Sequence, residues 1–531
     1  MRKLTILALV AMLAVAGTAF AAVDKTFDVT ANATFSNGNN PTTTNNDDSC
    51  DIGVYPAATL LLPYFEVDIA AVAGTSHTTL FTITNVSRFP QIAHITLWTD
   101  WSFPVLDFNV FLTGYDVQSI NLFDIIRSGL VAPGTGPGPG TSSTNKTVSP
   151  NPQTGVSGAI PALNAATNPN FAGDAISSCS VLPGTLPAGL VAAVQTALTT
   201  GLYNPTTAVG CGSNRIGGVH ANAIGYVTID VASRCTTRLP DDVTYMATEI
   251  LFDNVLIGDY QQINGNVLNG NLAQGNPMVH IRAIPEGGPA GSLPIPGITN
   301  LPYTFYDRYT GSTPQRDRRQ PLPATFAARW IEGGSGGYQT DYKIWREGVT
   351  FGTQSCSTAD DNSSMPVADV VRFDERENSF GFAGQDNCSP CEPGAGPELP
   401  ETSRTSTADA IWPVHTTSSD IAGWMYLNLN NGGSAGYSVN GIRNNVGTGF
   451  APLCSGTVVR ASQNWTIVSM FALGKLSVDF DAASLGNGCN AAACDPVGGT
   501  NPPIGPAGGV FVCPPGIVCV GAAYTGTNTT P

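Results

Sequence analysis

Charge is scarce in this chain: only 12% of its 531 residues are Asp, Glu, Lys or Arg, about half the usual quarter of a soluble protein. The 23 basic residues are outnumbered by 39 acidic ones, for a net charge of −16. A nucleic-acid binder must neutralise phosphates, and anionic lipid asks for the same, so both are excluded as general partners. Histidine is rarer still. The five are His77, His94, His220, His280 and His415, and no two stand at an HExxH-like spacing that would hold zinc. No fixed-period repeat is visible, which disfavours a solenoid or propeller. Beyond residue 22 no apolar run is long enough to span a bilayer as a helix.

What is present fits a globular, loop-rich chain. Apolar residues make up 42%, mean hydropathy is +0.05, and there are 59 glycines and 39 prolines. Met1-Arg2-Lys3 is followed by an apolar run from Leu4 to Phe20 and by small residues at Ala19 and Ala21. That order is a signal peptide over residues 1–22, so the mature chain is expected to be secreted or at the cell surface, in the periplasm or the extracellular space. The 12 cysteines form an even set suited to an oxidising compartment. Short closures are the expected disulfides: Cys179 with Cys211, Cys489 with Cys494, and Cys513 with Cys519. Cys388-Ser-Pro-Cys391 runs into Glu392-Pro393-Gly394. That cannot start a helix, so a structural disulfide is favoured over a redox motif.

The order of patterns predicts an all-β chain of antiparallel β-sandwich or jelly-roll-like sheets, with one short helix, long Gly/Pro-rich insertions and disulfides. In residues 23–49 an N-terminal strand precedes a polar tether: Phe27, Val29, Ala31, Ala33 and Phe35 alternate with polar residues, then Ser, Asn, Gly and Thr follow. A first β domain is expected over 50–235, with strands at 80–86, 92–98, 106–112 and 117–122. Within it, 131–178 reads as a long insertion, and 186–202 as a helix opened by Pro187 and closed by Gly201. A second β domain is expected over 236–486, including strands at 247–252 and 303–309, and a Cys/Gly/Pro-rich irregular tail over 487–531.

The runs Thr96-Leu-Trp-Thr-Asp-Trp-Ser-Phe-Pro104, Leu106 to Val117, Gly225-Tyr-Val-Thr-Ile-Asp230 and Leu322 to Trp330 resemble large secreted all-β proteins of Gram-negative bacteria without assigned function. The resemblance spans most of 50–486. It implies the fold and export, and brings no catalytic residue with it.

Chemistry is thinly signalled, and whether the chain is an enzyme stays open, with the balance against. Gly333-Gly-Ser-Gly-Gly337 matches G-x-S-x-G in letters, but strands on both sides make it a turn rather than a nucleophile elbow. Asp360, Asp361, Asp374, Glu375 and Glu377 read as solvated acidic turns. Structural calcium would suit such oxygens, yet no EF-hand loop occurs, and no cofactor is expected. Arg308, Arg316, Arg318 and Arg319 crowd a short stretch. This patch can recognise an anionic ligand such as an acidic glycan, or simply pair with Asp307 and Asp317. The strand-borne tryptophans, Trp424 among them, are expected in the core.

Two functions follow. The first is a secreted, non-enzymatic structural or adhesive protein that assembles with itself by donating its N-terminal strand. The same alternation marks a strand paired within its own chain, and for the segment by itself that pairing is favoured over donation. The alternative is an extracellular carbohydrate-binding or carbohydrate-cleaving β-sandwich, with surface glycans as partners and its site near the arginines.

Overall fold

The computed structural model describes residues 54–130, 186–283, 305–380, 398–429 and 463–487, apart from short gaps within those ranges. The signal segment, the 27–35 strand and its tether, Cys179, Cys489, Cys494, Cys513, Cys519, Arg316 and Arg318 lie outside the described residues. The fold is mostly antiparallel β-sheet, as the alternating patterns predict.

Nine strands build the first half: β1 (Thr59–Val67), β2 (His77–Asn85), β3 (Gln91–Thr99), β4 (Pro104–Leu112), β5 (Val117–Asn121), β6 (Ala223–Ala232), β7 (Leu256–Asn264), β8 (Ala273–Pro277) and β9 (Val279–Ile281). They pair as β4-β3-β6-β1-β9 and as β5-β2-β7-β8. Leu60, Leu62, Ile95, Leu97, Val227 and Ile229 from the larger sheet share a core with Phe81, Ile83 and Ile120 from the smaller. Burial of this alternating apolar face, at ~25 cal/mol per Å2, is what holds the layers together.

The larger sheet is covered on its other face too. Leu61, Trp98 and Tyr226 point away from the first core into an aromatic layer with Tyr245, Phe305, Tyr306, Tyr309 and Trp345. Trp98 lies nearly parallel to Tyr226 at 5.5 Å and to Tyr309 at 5.7 Å. Because successive side chains face opposite layers, every residue of β1 and β3 is buried.

Beyond the aromatic layer lie β10 (Pro323–Ile331), β11 (Tyr338–Arg346), β12 (Met365–Pro366), β13 (Asp369–Asp374), β14 (Ser379–Phe380), β15 (Glu398–Leu399), β16 (Thr402–Ser406), β17 (Ala422–Asn428), β18 (Asn464–Ala472), β19 (Lys475–Phe480) and β20 (Ala482–Asn487). They form sheets β14-β13-β17-β10-β20 and β16-β11-β18-β19, with a small β12-β15 pair. Phe326, Trp330, Tyr342, Ile344, Met425, Leu427 and Val468 fill the core between the two sheets.

Several expectations change. The predicted division at 235/236 does not follow the sheets, since β7, β8 and β9 lie beyond it yet complete the first sandwich. The predicted strand at 117–122 stops at Asn121, whose side chain accepts the Phe123 N–H and opens a helix, α1 (Leu122–Ser128). The predicted helix is α2 (Ala188–Thr200), closed by left-handed Gly201 with φ 72°. There are thus two helices among the described residues rather than one. The predicted strand at 303–309 ends in a single helical turn instead, Asp307–Thr310, and the one at 247–252 opens on the end of another, Tyr245–Thr248, before Ile250 forms an isolated bridge with Ala232. Their aromatic residues dock into the middle layer, so packing overrides β propensity.

The expected Cys179–Cys211 disulfide is also replaced. Cys211 bonds Cys356 across 145 residues of chain, with Cα atoms 5.2 Å apart. Tertiary contacts explain the long closure. Asp241 receives the Gln354 N–H at 3.0 Å and Asn362 donates to the Trp101 carbonyl at 3.0 Å, which holds the 354–362 turn against the first sandwich beside Cys211.

Candidate functional site

The arginine run, read as a surface patch or a solvated loop, is neither at the two positions described. Arg308 and Arg319 are 2% and 1% exposed. Arg319 donates through Nε to Asp317 at 2.8 Å and through Nη1 to Asp230 at 2.7 Å and Thr59 at 2.9 Å, with its guanidinium 4.3 Å from the Tyr306 ring. Asp230, on β6, also accepts from Tyr245 at 2.7 Å and Thr59 at 2.5 Å. Asp317 is the partner the sequence suggested. Asp230, 89 residues upstream, is visible only once the sheet is folded.

Arg308 makes a second tie. It donates to Glu401 at 2.5 Å, to Ser102 at 2.6 Å and to the Tyr309 hydroxyl. Ser102 sits in a left-handed conformation, φ 63°, between the Tyr226 and Tyr309 hydroxyls. Burial pushes the Glu401 carboxyl above its ordinary value against the pull of Arg308. Gly348 packs so closely here that a methyl group would collide with Glu401, Asn362 and Arg308. Both arginines are therefore internal connectors between the halves, and neither is presented to a ligand.

A half-buried cluster lies where β1 and β2 meet β11 and β16. Arg404 bridges Glu66 at 3.1 Å and Asp341 at 2.9 Å, and Glu66 also receives Asn222 at 2.6 Å and the Tyr64 hydroxyl at 3.1 Å. Lys343, fully buried, stands 3.5 Å from Asp341. Burial raises the Glu66 carboxyl, but His77, Arg404 and the two hydrogen bonds more than offset it and hold it below the ordinary range. Burial keeps His77 below its usual value despite Glu66. Two carboxylates on one guanidinium, with Lys343 behind, form a charge-balanced clamp. None of it was signalled in the sequence, because its members come from four strands far apart in the chain.

His220 Nε2 meets the buried Asp100 at 2.9 Å, another pair that sequence spacing hides. His94 bonds Asn109 at 3.0 Å and His280 bonds the Gly258 carbonyl at 3.0 Å, both within the sheets. Gly333–Gly337 closes the turn between β10 and β11, with Gly333 and Tyr338 bonded in both directions and no helix following. Trp424 departs from expectation. It lies on the outer face of β17, half-buried, stacked on Phe373 at 4.1 Å and opposite Arg329 in register. Among the described residues no group of three His, Cys, Asp or Glu side chains converges as if on a metal ion, and no helix is long and apolar enough to cross a membrane.

One sheet edge of the first sandwich has no neighbouring strand among the described residues. Strand β5 pairs only with β2 among the described residues. Asn85 donates to the Asp116 carbonyl, so along the alternating ladder Val117 and Ser119 turn their backbone groups away from β2. The side chains of Val117 and Ser119 are exposed, as is Tyr115 just before them. No protein-family model, curated protein or solved structure matches this chain.

Replacing Arg319 by Met leaves Asp230 and Asp317 buried without their cation, and urea unfolding is expected to show a loss of roughly 3–5 kcal/mol. Asp241 gives a pH signature. Burial raises its carboxyl to about 6 against the Gln354 hydrogen bond. The folded protein thus holds a proton that the unfolded chain, with a pKa near ~4, releases. Its favourable contribution is complete below pH ~4 and is lost as pH rises through about 6. Asp241→Asn should match the parent near pH 4 and exceed its stability near pH 7 by up to about 3 kcal/mol, read from denaturation midpoints across that range.

Proposed function

We propose that this chain is a secreted, non-enzymatic structural or adhesive protein of the cell surface or extracellular space, assembling by donation of its N-terminal strand. The observation that carries this reading is the amphipathic alternation from Phe27 to Phe35 on a polar tether, in a chain whose β5 is paired on one side only among the described residues. The signal-like first 22 residues support export. Durability is supported by the two sandwiches being tied by buried ion pairs and by the Cys211–Cys356 bond. Such a unit can carry load without relying on one surface.

Glycan binding keeps one specific support, which is not the one anticipated. With Arg308 and Arg319 turned inward, the arginine run loses half of the patch that suggested it. The outer-face aromatics Phe373 and Trp424, with exposed Arg329 alongside, are instead the kind of surface on which a sugar ring stacks.

Two experiments separate the readings. Deleting residues 23–36 should leave the circular dichroism spectrum and unfolding midpoint unchanged while abolishing filaments in negative-stain images of the secreted protein. A parent protein that stays monomeric at every concentration would end the assembly reading. Under the glycan reading, Trp424→Ala should reduce retention on immobilised polysaccharide at least about tenfold, the scale of one lost ring contact, and retention by the variant equal to the parent's would end it.

A further inference from the structure

The sheet edges of the first sandwich differ in how they are covered. β4 is buried at Val105, Leu106, Phe108, Asn109 and Val110, with α2 against it. β9 is prolonged by a bridge between Ala283 and Arg319, and β8 runs beside β19. β5 has no such cover among the described residues, and apolar side chains stand open there, Tyr115 at 70% and Val117 at 57% exposure. Its outward backbone groups are met by neighbouring side chains instead. Asp116 accepts the Val117 N–H at 2.9 Å, and Gln118 donates to the Ser119 carbonyl at 2.6 Å. These are the local contacts an incoming strand displaces.

The position of the tether bears on which strand arrives. The described chain begins at Val54, and Ala57 bridges Leu256 at the start of β7. Leu256 lies opposite Asn85 of β2, which in turn donates to Asp116 beside β5. Ala57, near the start of the described chain, and the start of β5 therefore share one end of the same sheet, three strand spacings or about 14 Å apart. A link of about five residues would cover that gap. Residues 36–53 supply 18, enough to reach as far as about 60 Å, well beyond the molecule's own edge.

Face parity matches as well. On β5, Gln118 and Ile120 are buried while Val117 and Ser119 are exposed, and the outer face continues through Thr82 and Asp259. A strand with Phe27, Val29, Ala31, Ala33 and Phe35 toward the core side would set Thr30, Asn32 and Thr34 in line with that polar face.

We propose that the edge of β5 away from β2, unpaired among the described residues, is the receptor for residues 27–35 of a second copy of this chain. The inference rests on the assembly reading above and names the surface that reading requires.

Two variants of the full mature chain test it. Ser119→Pro removes an outward N–H and puts a ring on the edge, while Gln118 and Ile120 keep the ladder to β2. Asn32→Pro breaks the alternating donor segment. Both are expected to stay folded by near-ultraviolet circular dichroism and to raise the concentration needed for assembly, read by light scattering, at least about tenfold. In the assembled parent the Ser119 amide should exchange with deuterium at least about tenfold more slowly than in the monomeric Asn32→Pro variant. A folded Ser119→Pro that assembles like the parent places the receptor elsewhere and overturns this inference while leaving assembly intact. Protection of Ser119 in a monomer, independent of concentration and lost in Asn32→Pro, means pairing within one copy and overturns it too. A parent that never assembles removes both this inference and the reading beneath it. If Ser119→Pro does not fold, Asn32→Pro and the exchange measurement decide.

Discussion

A buried guanidinium holds the architecture together. Arg319 sits between Asp230 of β6 and Asp317 of the segment that leads to the second sandwich, and it spans them within 3 Å on both sides. Taking three charges out of water is costly, and the arrangement is tolerable only because the hydroxyls of Thr59, Tyr245 and Tyr306 add hydrogen bonds around them. That requirement fixes the positions of β1, β6 and both aromatic helical turns at once. Arg308 and Glu401 repeat the solution on the other side of the aromatic layer.

The larger sheet of the first sandwich thereby acquires two unlike faces. Toward β2 and β7 it is aliphatic, with Leu60, Ile95 and Ile229. Toward the second sandwich it is polar and aromatic, with Thr59, Trp98, Tyr226 and Asp230. An aliphatic face tolerates many partners, whereas one that must satisfy Asp230 and Ser102 accepts few. The polar layer thus specifies how the halves meet, while the aliphatic layer supplies most of the burial.

Much of the local structure was legible in the sequence. Strands β2, β3, β10, β11, β17 and β18 follow period-2 or apolar β-branched runs, and α2 follows its Pro187 and Gly201 punctuation. What escaped has identifiable causes. β1 reads Thr-Leu-Leu-Leu-Pro-Tyr-Phe-Glu-Val, an unbroken apolar run with a proline, because it is covered on both faces and Pro63 falls at a register shift. The segments around Tyr245 and Tyr306 look like strands because aromatic content signals β structure whether it lies in a sheet or packs upon one. The candidate site was legible in part: the Arg319–Asp317 pair can be read along the chain. The Glu66–Arg404–Asp341 clamp, the inward turn of Arg308 and the edge of β5 left unpaired among the described residues depend on contacts between distant strands, which single-sequence spacing does not encode.

The placement of β1 bears on how the protein would respond to tension. It is flanked by β6 on one side and β9 on the other, with hydrogen bonds running across the strand direction. A pull transmitted from the N-terminal side through Val54 enters this central strand along its length, so its bonds are loaded together instead of peeling apart in turn. The Cys211–Cys356 link, closing 145 residues, would then keep a covalent tie between the two sandwiches after the strand yields.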